Sequence, residues 1–291
     1  MDIFSTLISQ HYNSTIVFVA TALLGMSAGL VGCFLVLRRQ ALVSDAVTHA
    51  TLPGIGIGFL LSLHFGLNDG KYLPLLLLCS GLTAYLGALS VQFITNNTRL
   101  SPDTAIASVM SFFYGFGLLL LSIIQNMNAG NRAGLNSFLL GQVSGLTISD
   151  LILLSSVSVI ALILILTNFK NLRLLCFDKD YSSLLGLPTR TTETLLLFLM
   201  ILVICTGLKT VGLIMIIALL IIPAITARLW TKRSEVMAFL SAIIGALSCI
   251  GGVYLSSDIY DLPTGSTIVL LAFIIFSISL FIRIIRNAVN V

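Results

Sequence analysis

Charge is what this chain has least of. Asp, Glu, Lys and Arg make up 9% of its 291 residues, where a soluble domain carries roughly 25%. With 57% hydrophobic residues and a mean hydropathy of +1.09, that deficit excludes a soluble globular enzyme. No polar stretch reaches the ~50 residues of the smallest ordinary domains, so residues 1–291 read as a single membrane domain. Paired cysteines are missing too. Cys33, Cys79, Cys176, Cys205 and Cys249 are scattered without a CxxC pair, which points away from a zinc–thiolate site or a disulfide framework. They read as small buried hydrophobes. Residues 1–15 hold no Lys or Arg, so the basic start of a cleaved signal peptide is not evident. HExxH is absent, and no nucleophile–base arrangement stands out.

What is present is a series of apolar runs of about 20 residues, the length that crosses a bilayer. They cover Ile16–Leu37, Ala41–Phe65, Leu73–Thr95, Thr104–Gln125, Ile148–Phe169, Thr191–Leu208, Val211–Trp230, Val236–Leu255 and Ser266–Ile285. The fold class is an all-α polytopic membrane protein with eight or nine transmembrane helices. Nine spans require a division of Glu193–Trp230, where Gly207-Leu208-Lys209 is the sole interruption. Basic residues test the alternation, because cytoplasmic loops collect them. With the N-terminus outside, Arg38, Arg39, Arg99, Lys170, Arg173, Lys179, Arg190, Arg228, Lys232, Arg233, Arg283 and Arg286 fall inside. Lys71, Arg132 and Lys209 alone fall outside. Nine spans then place the C-terminus in the cytoplasm. The net charge of +4 follows this topology and gives no reason to invoke nucleic acid.

Ionisable residues inside such runs are costly and usually mark a cavity, a partner or an ion path. Asp45 and His49 are such a pair, in LRRQALVSDAVTHATLPGIGIGF (37–59). Four residues of helix turn about 400°, so the two side chains share one face, one turn apart. Carboxylate and imidazole both suit divalent transition metals. The plain alternative is a local hydrogen bond between two partly buried groups. Two protein ligands are also too few for a selective site, and two copies of the helix at a dimer axis would supply two Asp and two His. His64 and His11 read as interfacial histidines.

Other features have structural readings. Ser101-Pro102-Asp103 is a helix start, with a hydroxyl cap, proline in the first turn and an acid at the positive end of the dipole. Pro223 predicts a kink. Ser137–Gly145 could form a short re-entrant or surface helix. Asp258 and Asp261 lie in an outer loop, open to solvent or a soluble partner. Cytoplasmic loop 170–190 contains FDKDYSSLLGLP, Phe177–Pro188. Asp178 can cap a short helix there, Leu184 and Leu185 give it an apolar side and Gly186 ends it. A docking surface and a plain connector are equal readings of that composition. The phosphate-binding GxxxxGK[ST] is absent: Gly207-Leu208-Lys209-Thr210 lacks the earlier glycine. ATP-driven transport would therefore take its ATPase from another polypeptide.

Several segments together resemble one family, the membrane permease subunits of bacterial ABC importers for manganese, zinc and iron. LRRQALVSDAVTHATLPGIGIGFLL is similar to the signature after the family's first span. PDTAIASVMSFFYGFGLLLLS, VGLIMIIALLIIPAITARL and SSDIYDLPTGSTIVLL match further segments, and FDKDYSSLLGLP resembles the ATPase-docking loop. The family often has alanine where Ser182 or Ser183 stands. The resemblance implies the type II importer permease architecture. It implies a transport subunit rather than an enzyme, in the bacterial cytoplasmic membrane. Its partners would be a second permease subunit, two cytoplasmic ATP-binding subunits and an extracytoplasmic metal-binding protein. Asp45 and His49 would line the metal path. Phe177, Asp178, Ser182, Ser183, Gly186 and Leu187 would meet the ATPase. No permanent cofactor is implied, only a transported Mn, Zn or Fe ion. Gly130–Gln142 looks closest to manganese-leaning members. Some zinc-specific members carry a fourth-span histidine where this chain has SVMSFFYG, which favours Mn(II) or Fe(II). The competing classes are an ion- or proton-coupled carrier using the pair as a proton relay, and a siderophore or cobalamin permease.

Overall fold

The computed structural model describes residues 3–66, 72–126, 141, 148–177, 179–256 and 263–289, with side chains left out at 3–16, 179–180, 214 and 287–289. Eleven helices and no strands occupy the described residues. They are α1 (Ile3–Leu37), α2 (Ala41–His64), α3 (Leu73–Asn97), α4 (Pro102–Asn126), α5 (Ile148–Thr167), α6 (Phe169–Phe177), α7 (Lys179–Leu184), α8 (Thr189–Thr210), α9 (Leu213–Trp230), α10 (Ser234–Leu255) and α11 (Thr264–Val289). Eight are long and apolar enough to cross a membrane, and Met215–Trp230 within α9 is a shorter apolar stretch. At 18 residues α9 is about 27 Å long, close to the ~30 Å of a hydrocarbon core. The helix α1 begins earlier than the predicted Ile16, although its span proper is Val17–Leu37.

Long-range contacts show which helix ends lie together. Arg38, after α1, donates to Glu193 of α8 at 2.7 Å. Phe34 meets Phe169 of α6 with ring centroids 5.4 Å apart, and Arg173 of α6 pairs with Glu235 of α10. These contacts define one end of the bundle, the basic end. At the far end Lys209 of α8 donates to Asp150 of α5 at 2.6 Å, and Thr264 of α11 donates to the Thr210 carbonyl at 3.3 Å. Lys209 is one of the three cations that the charge rule places outside, and its carboxylate partner explains how the bundle tolerates it there.

The division between α8 and α9 falls at Val211–Gly212, a few residues beyond the predicted Gly207-Leu208-Lys209. Gly212 holds φ 94°, a region that side chains strongly disfavour. Both break residues are buried, and the backbone of Gly141 lies directly against Val211.

The core has no strong amphipathic stripe to build on, because lipid and protein faces are both apolar. Close backbone packing takes that role, as in membrane bundles generally. On α1, Gly25 and Gly29 cross Gly245 and Ser241 of α10, and Gly32 lies against Leu220 of α9. The Ser241 hydroxyl donates to the Gly29 carbonyl at 2.6 Å. This packing sets α1 against α9, α10 and α5, with α11 packed on α9 and α10, while α2 packs between α3 and α4 in another group. Between them α8 packs on α1, α3, α5 and α9. Its Cys205 thiol accepts from Ser80 of α3 at 3.4 Å.

Two turns at the basic end matter for the site. After α1, Arg39 N–H donates to the Val36 carbonyl and Gln40 N–H to the Leu35 carbonyl, a Schellman ending. The left-handed position is filled by Arg39 at φ 56° instead of glycine, which costs on the order of 1 kcal/mol. That turn aims α2 back into the bundle. After α7 the same pattern recurs, with Gly186 at φ +71°, Gly186 N–H bonded to the Ser183 carbonyl and Leu187 N–H to the Ser182 carbonyl. Gly186 therefore ends the short helix as the sequence predicts. Helix α4 starts at Pro102 behind Ser101, whose hydroxyl accepts from the Thr104 N–H at 3.3 Å.

Candidate metal site

Asp45 is the fifth residue of α2 and lies about 6 Å along it, with His49 about 12 Å along. The His49 Nε2 atom is 3.3 Å from Asp45 Oδ1. The side chains are 18% exposed for His49 and 34% for Asp45, so the pair is partly sunk into the bundle with one side open. The shared face predicted from the spacing is present.

The surroundings separate this pair from the other acids. Among the described residues, Glu193 is matched by Arg38, Asp150 by Lys209 and Glu235 by Arg173. Asp103 sits exposed at the start of α4. Among the described acids, Asp45 alone has an imidazole, and no Lys or Arg, as its ion-pair partner. The neighbouring hydroxyls are already committed. Ser44, Thr48 and Thr51 donate back to the Ala41, Ser44 and Thr48 carbonyls of their own helix, at 2.6, 2.7 and 2.6 Å. On His49, Nδ1 is buried and has no hydrogen-bond partner among the described residues. Pro53, inside α2, has no N–H, so the His49 carbonyl lacks its usual helical donor. The site thus offers a carboxylate and an imidazole on one face of α2, beside a backbone oxygen that has lost its usual helical donor. Among the described residues no group of three or more His, Cys, Asp or Glu is assembled in a single chain.

Tyr114 of α4 completes the local environment. Its ring stands edge-to-face on His49, with centroids 5.0 Å apart and planes at 80°. Nothing in the fourth-span sequence marks Tyr114, because its only signal is a polar tip within the aromatic run FFYGF. Pro53 is readable, four residues after His49, and the pairing of Arg38 with Glu193 is not.

The other predicted site residues are placed as follows. His64 is exposed at the end of α2, its ring beside Phe65, in keeping with an interfacial histidine; the His11 side chain lies outside the described residues. In the docking segment Phe177, Tyr181, Leu184 and Leu185 are all exposed, Leu184 at 85%. Ser183 and Gly186 are exposed, Leu187 is half-buried and Ser182 is buried. Asp178, predicted to cap this helix, lies outside the described residues, as do Asp258, Asp261 and all of Ser137–Gly145 except Gly141. The cysteines are unpaired. Outside the spans, burial pushes the Cys176 thiol up to about 12 against the pull of Arg38.

A cavity of about 290 Å³ opens beside the α1–α2 turn, with Arg38, Gln40, Gln92, Asn96 and Glu193 among its lining. It is separate from the Asp45–His49 pair.

Known proteins resemble this chain over most of its length. The family model described as ABC 3 transport family matches residues 10–283. The chain is 38% identical over 271 residues to the manganese transport system membrane protein MntC of Bacillus subtilis, covering 93% of this chain and 61% of the relative's length. It is 38% identical over 261 residues to the zinc transport system membrane protein TroC of Treponema pallidum, covering 90% of this chain and 86% of that one. Among solved structures it is similar to PsaBC from Streptococcus pneumoniae in complex with Fab. There the TM-score is 0.78 at 31% identity, over 91% of this chain and 90% of that one.

Proposed function

Because this chain belongs to the ABC 3 transport family, we propose that it is the permease subunit of an ATP-driven importer of a divalent transition metal ion, with Mn(II) the favoured cargo. The observation that carries this reading is the Asp45–His49 pair, the one acid within the described bundle matched to an imidazole in place of a cation. A fixed cation would neutralise Asp45 permanently. An imidazole leaves it free to take a passing metal ion. Carboxylate and carbonyl oxygens suit Mn(II), and imidazole serves Mn, Fe and Zn alike.

In the proposed cycle two permease subunits face each other, and each contributes Asp45 and His49. Four ligands from two chains hold the ion transiently, because a closed high-affinity cage would not release it. The basic end faces the cytoplasm of a bacterial cell, so α6 and α7 meet the ATPase there. Exposed Phe177, Tyr181, Leu184 and Leu185 form the apolar docking face, and the Gly186 ending holds its angle. An extracytoplasmic metal-binding protein delivers the ion at the far end. The enzymatic step belongs to two ATP-binding subunits, and this chain contributes the path and the docking face.

Uptake of radiolabelled Mn(II) into vesicles holding the reconstituted complex, with unlabelled Mn(II), Zn(II), Fe(II) or a ferric siderophore as competitors, tests this. ATP-dependent uptake with Mn(II) the strongest competitor is the expected result. Uptake that follows a proton gradient without ATP would instead assign the pair to a proton relay. For the docking face, the double substitution Leu184→Asp with Leu185→Asp is expected to reduce co-purification of the ATPase at least about tenfold. Such a loss corresponds to roughly 1.4 kcal/mol, less than full burial of one leucine contributes. Wild-type recovery of the ATPase with this variant would remove the docking role.

A further inference from the structure

We infer that Tyr114 is a positioning residue for His49: its ring holds the imidazole in the plane from which it meets the metal ion, an inference that rests on the reading of Asp45 and His49 as the metal path. A ligating histidine is ordinarily oriented by a hydrogen bond from its second ring nitrogen to a carboxylate, carbonyl or water. Here Asp45 lies 3.3 Å from Nε2, and Nδ1 has no hydrogen-bond partner among the described residues. One long polar contact at one edge, with no hydrogen bond at Nδ1, leaves the orientation of the ring to the groups packed against it. Among the described residues the aromatic group packed on it is the Tyr114 ring, edge-to-face at 5.0 Å.

The register of the two helices makes that restraint rigid. Gly117, one turn beyond Tyr114, lies so close to Leu52, one turn beyond His49, that a Cβ at Gly117 would be 2.3 Å from Leu52 Cδ2. A further turn on, a Cβ at Gly56 would be 3.0 Å from Leu120 Cβ. The pairs 49/114, 52/117 and 56/120 step together, so α2 and α4 run parallel with Tyr114 locked opposite His49. The plain alternative, an aromatic that only fills the core, fits poorly. Tyr114 is 40% exposed, and α4 buries Val109, Gly117 and Leu121 instead.

An edge-to-face pair contributes enough to change an equilibrium by about two- to tenfold. The effect falls on binding the ion and not on turnover, so it should appear in the apparent KM. The test compares the complete reconstituted complex carrying wild-type chain, Tyr114→Phe, Tyr114→Leu or His49→Ala, with radiolabelled Mn(II) as the probe. Tyr114→Leu is expected to raise the apparent KM roughly three- to tenfold with the maximal rate unchanged. Tyr114→Phe, which keeps the ring, should stay within about twofold of wild type, and His49→Ala should show no uptake. A wild-type KM for Tyr114→Leu beside a dead His49→Ala overturns the role of Tyr114 and leaves the metal path standing. Uptake by His49→Ala overturns both. Equal KM increases in Tyr114→Phe and Tyr114→Leu would move the effect to the hydroxyl and overturn the ring argument. Failure of Tyr114→Leu to assemble while Tyr114→Phe behaves as wild type would make Tyr114 a packing residue and equally overturn it.

Discussion

Replacing Asp45 or His49 by alanine is expected to abolish metal uptake while the complex still assembles and hydrolyses ATP. Both side chains lie on an open stripe of α2, and neither fills the core: Asp45 is 34% exposed and His49 18%. The packing of α2 rests on other residues, with Ala46, Val47, Ala50, Leu52 and Ile55 buried against its neighbours. Truncating the pair therefore removes ligands without opening the bundle. Partners one step removed from a metal typically account for 10–100-fold in affinity or activity, so loss of a direct ligand should exceed about 100-fold. The expected profile is uptake at background, ATPase activity retained and an unchanged elution volume for the assembled complex. Wild-type uptake in both variants would end the ion-path reading. The alternative of a purely local polar contact predicts that outcome, because neither partner is deeply buried.

The second large effect concerns the bundle itself. Gly32→Ala should prevent recovery of folded chain, although alanine favours a helix over glycine by about 1 kcal/mol. The reason is a backbone contact. A Cβ at Gly32 would lie 1.7 Å from the Leu220 carbonyl oxygen and 2.8 Å from its carbon. A flexible side chain could rotate away, but a helix backbone cannot, so α1 and α9 must separate. Overpacking costs typically 1–3 kcal/mol where side chains can yield, and this contact lies at or beyond the top of that range. The same crossing region contains Gly25 against Gly245 and Gly29 against Ser241, so the strain spreads along α1. Gly81→Ala is the matched control, since the nearest neighbours of a Cβ there are at 3.9 Å. It should be neutral or slightly stabilising. Yield after detergent extraction, the gel-filtration profile and thermal unfolding would compare the two. Equal stability of Gly32→Ala and Gly81→Ala would contradict the close packing of α1 on α9.

Features set by local periodicity are legible in the sequence. Apolar run length locates the helices, and basic residues order their ends. The spacing of Asp45 and His49 places both on one face because it depends only on the turn of a single helix. Gly186 ends α7 because its left-handed backbone favours glycine wherever the helix lies. The proline and the hydroxyl at Ser101-Pro102 start α4 for equally local reasons. For the pair, the α7 ending and the α4 start, a four-residue interval is enough.

Contacts between distant segments are not legible there, since apolar sequence in a membrane bundle does not distinguish a lipid-facing side from a helix-facing one. Lys209 finds Asp150 across 59 positions, and Arg38 finds Glu193 across 155. Gly141 and Thr264 pack at the break after α8, a fact absent from the local run. Tyr114 faces His49 because Gly117 lets α4 approach α2, and no periodicity in either helix states that register. Composition and spacing are enough to identify a membrane chain with an acid–imidazole pair on one helix. The close packing of helix on helix decides which acids are neutralised, which one is left to an imidazole, and what holds that imidazole in place.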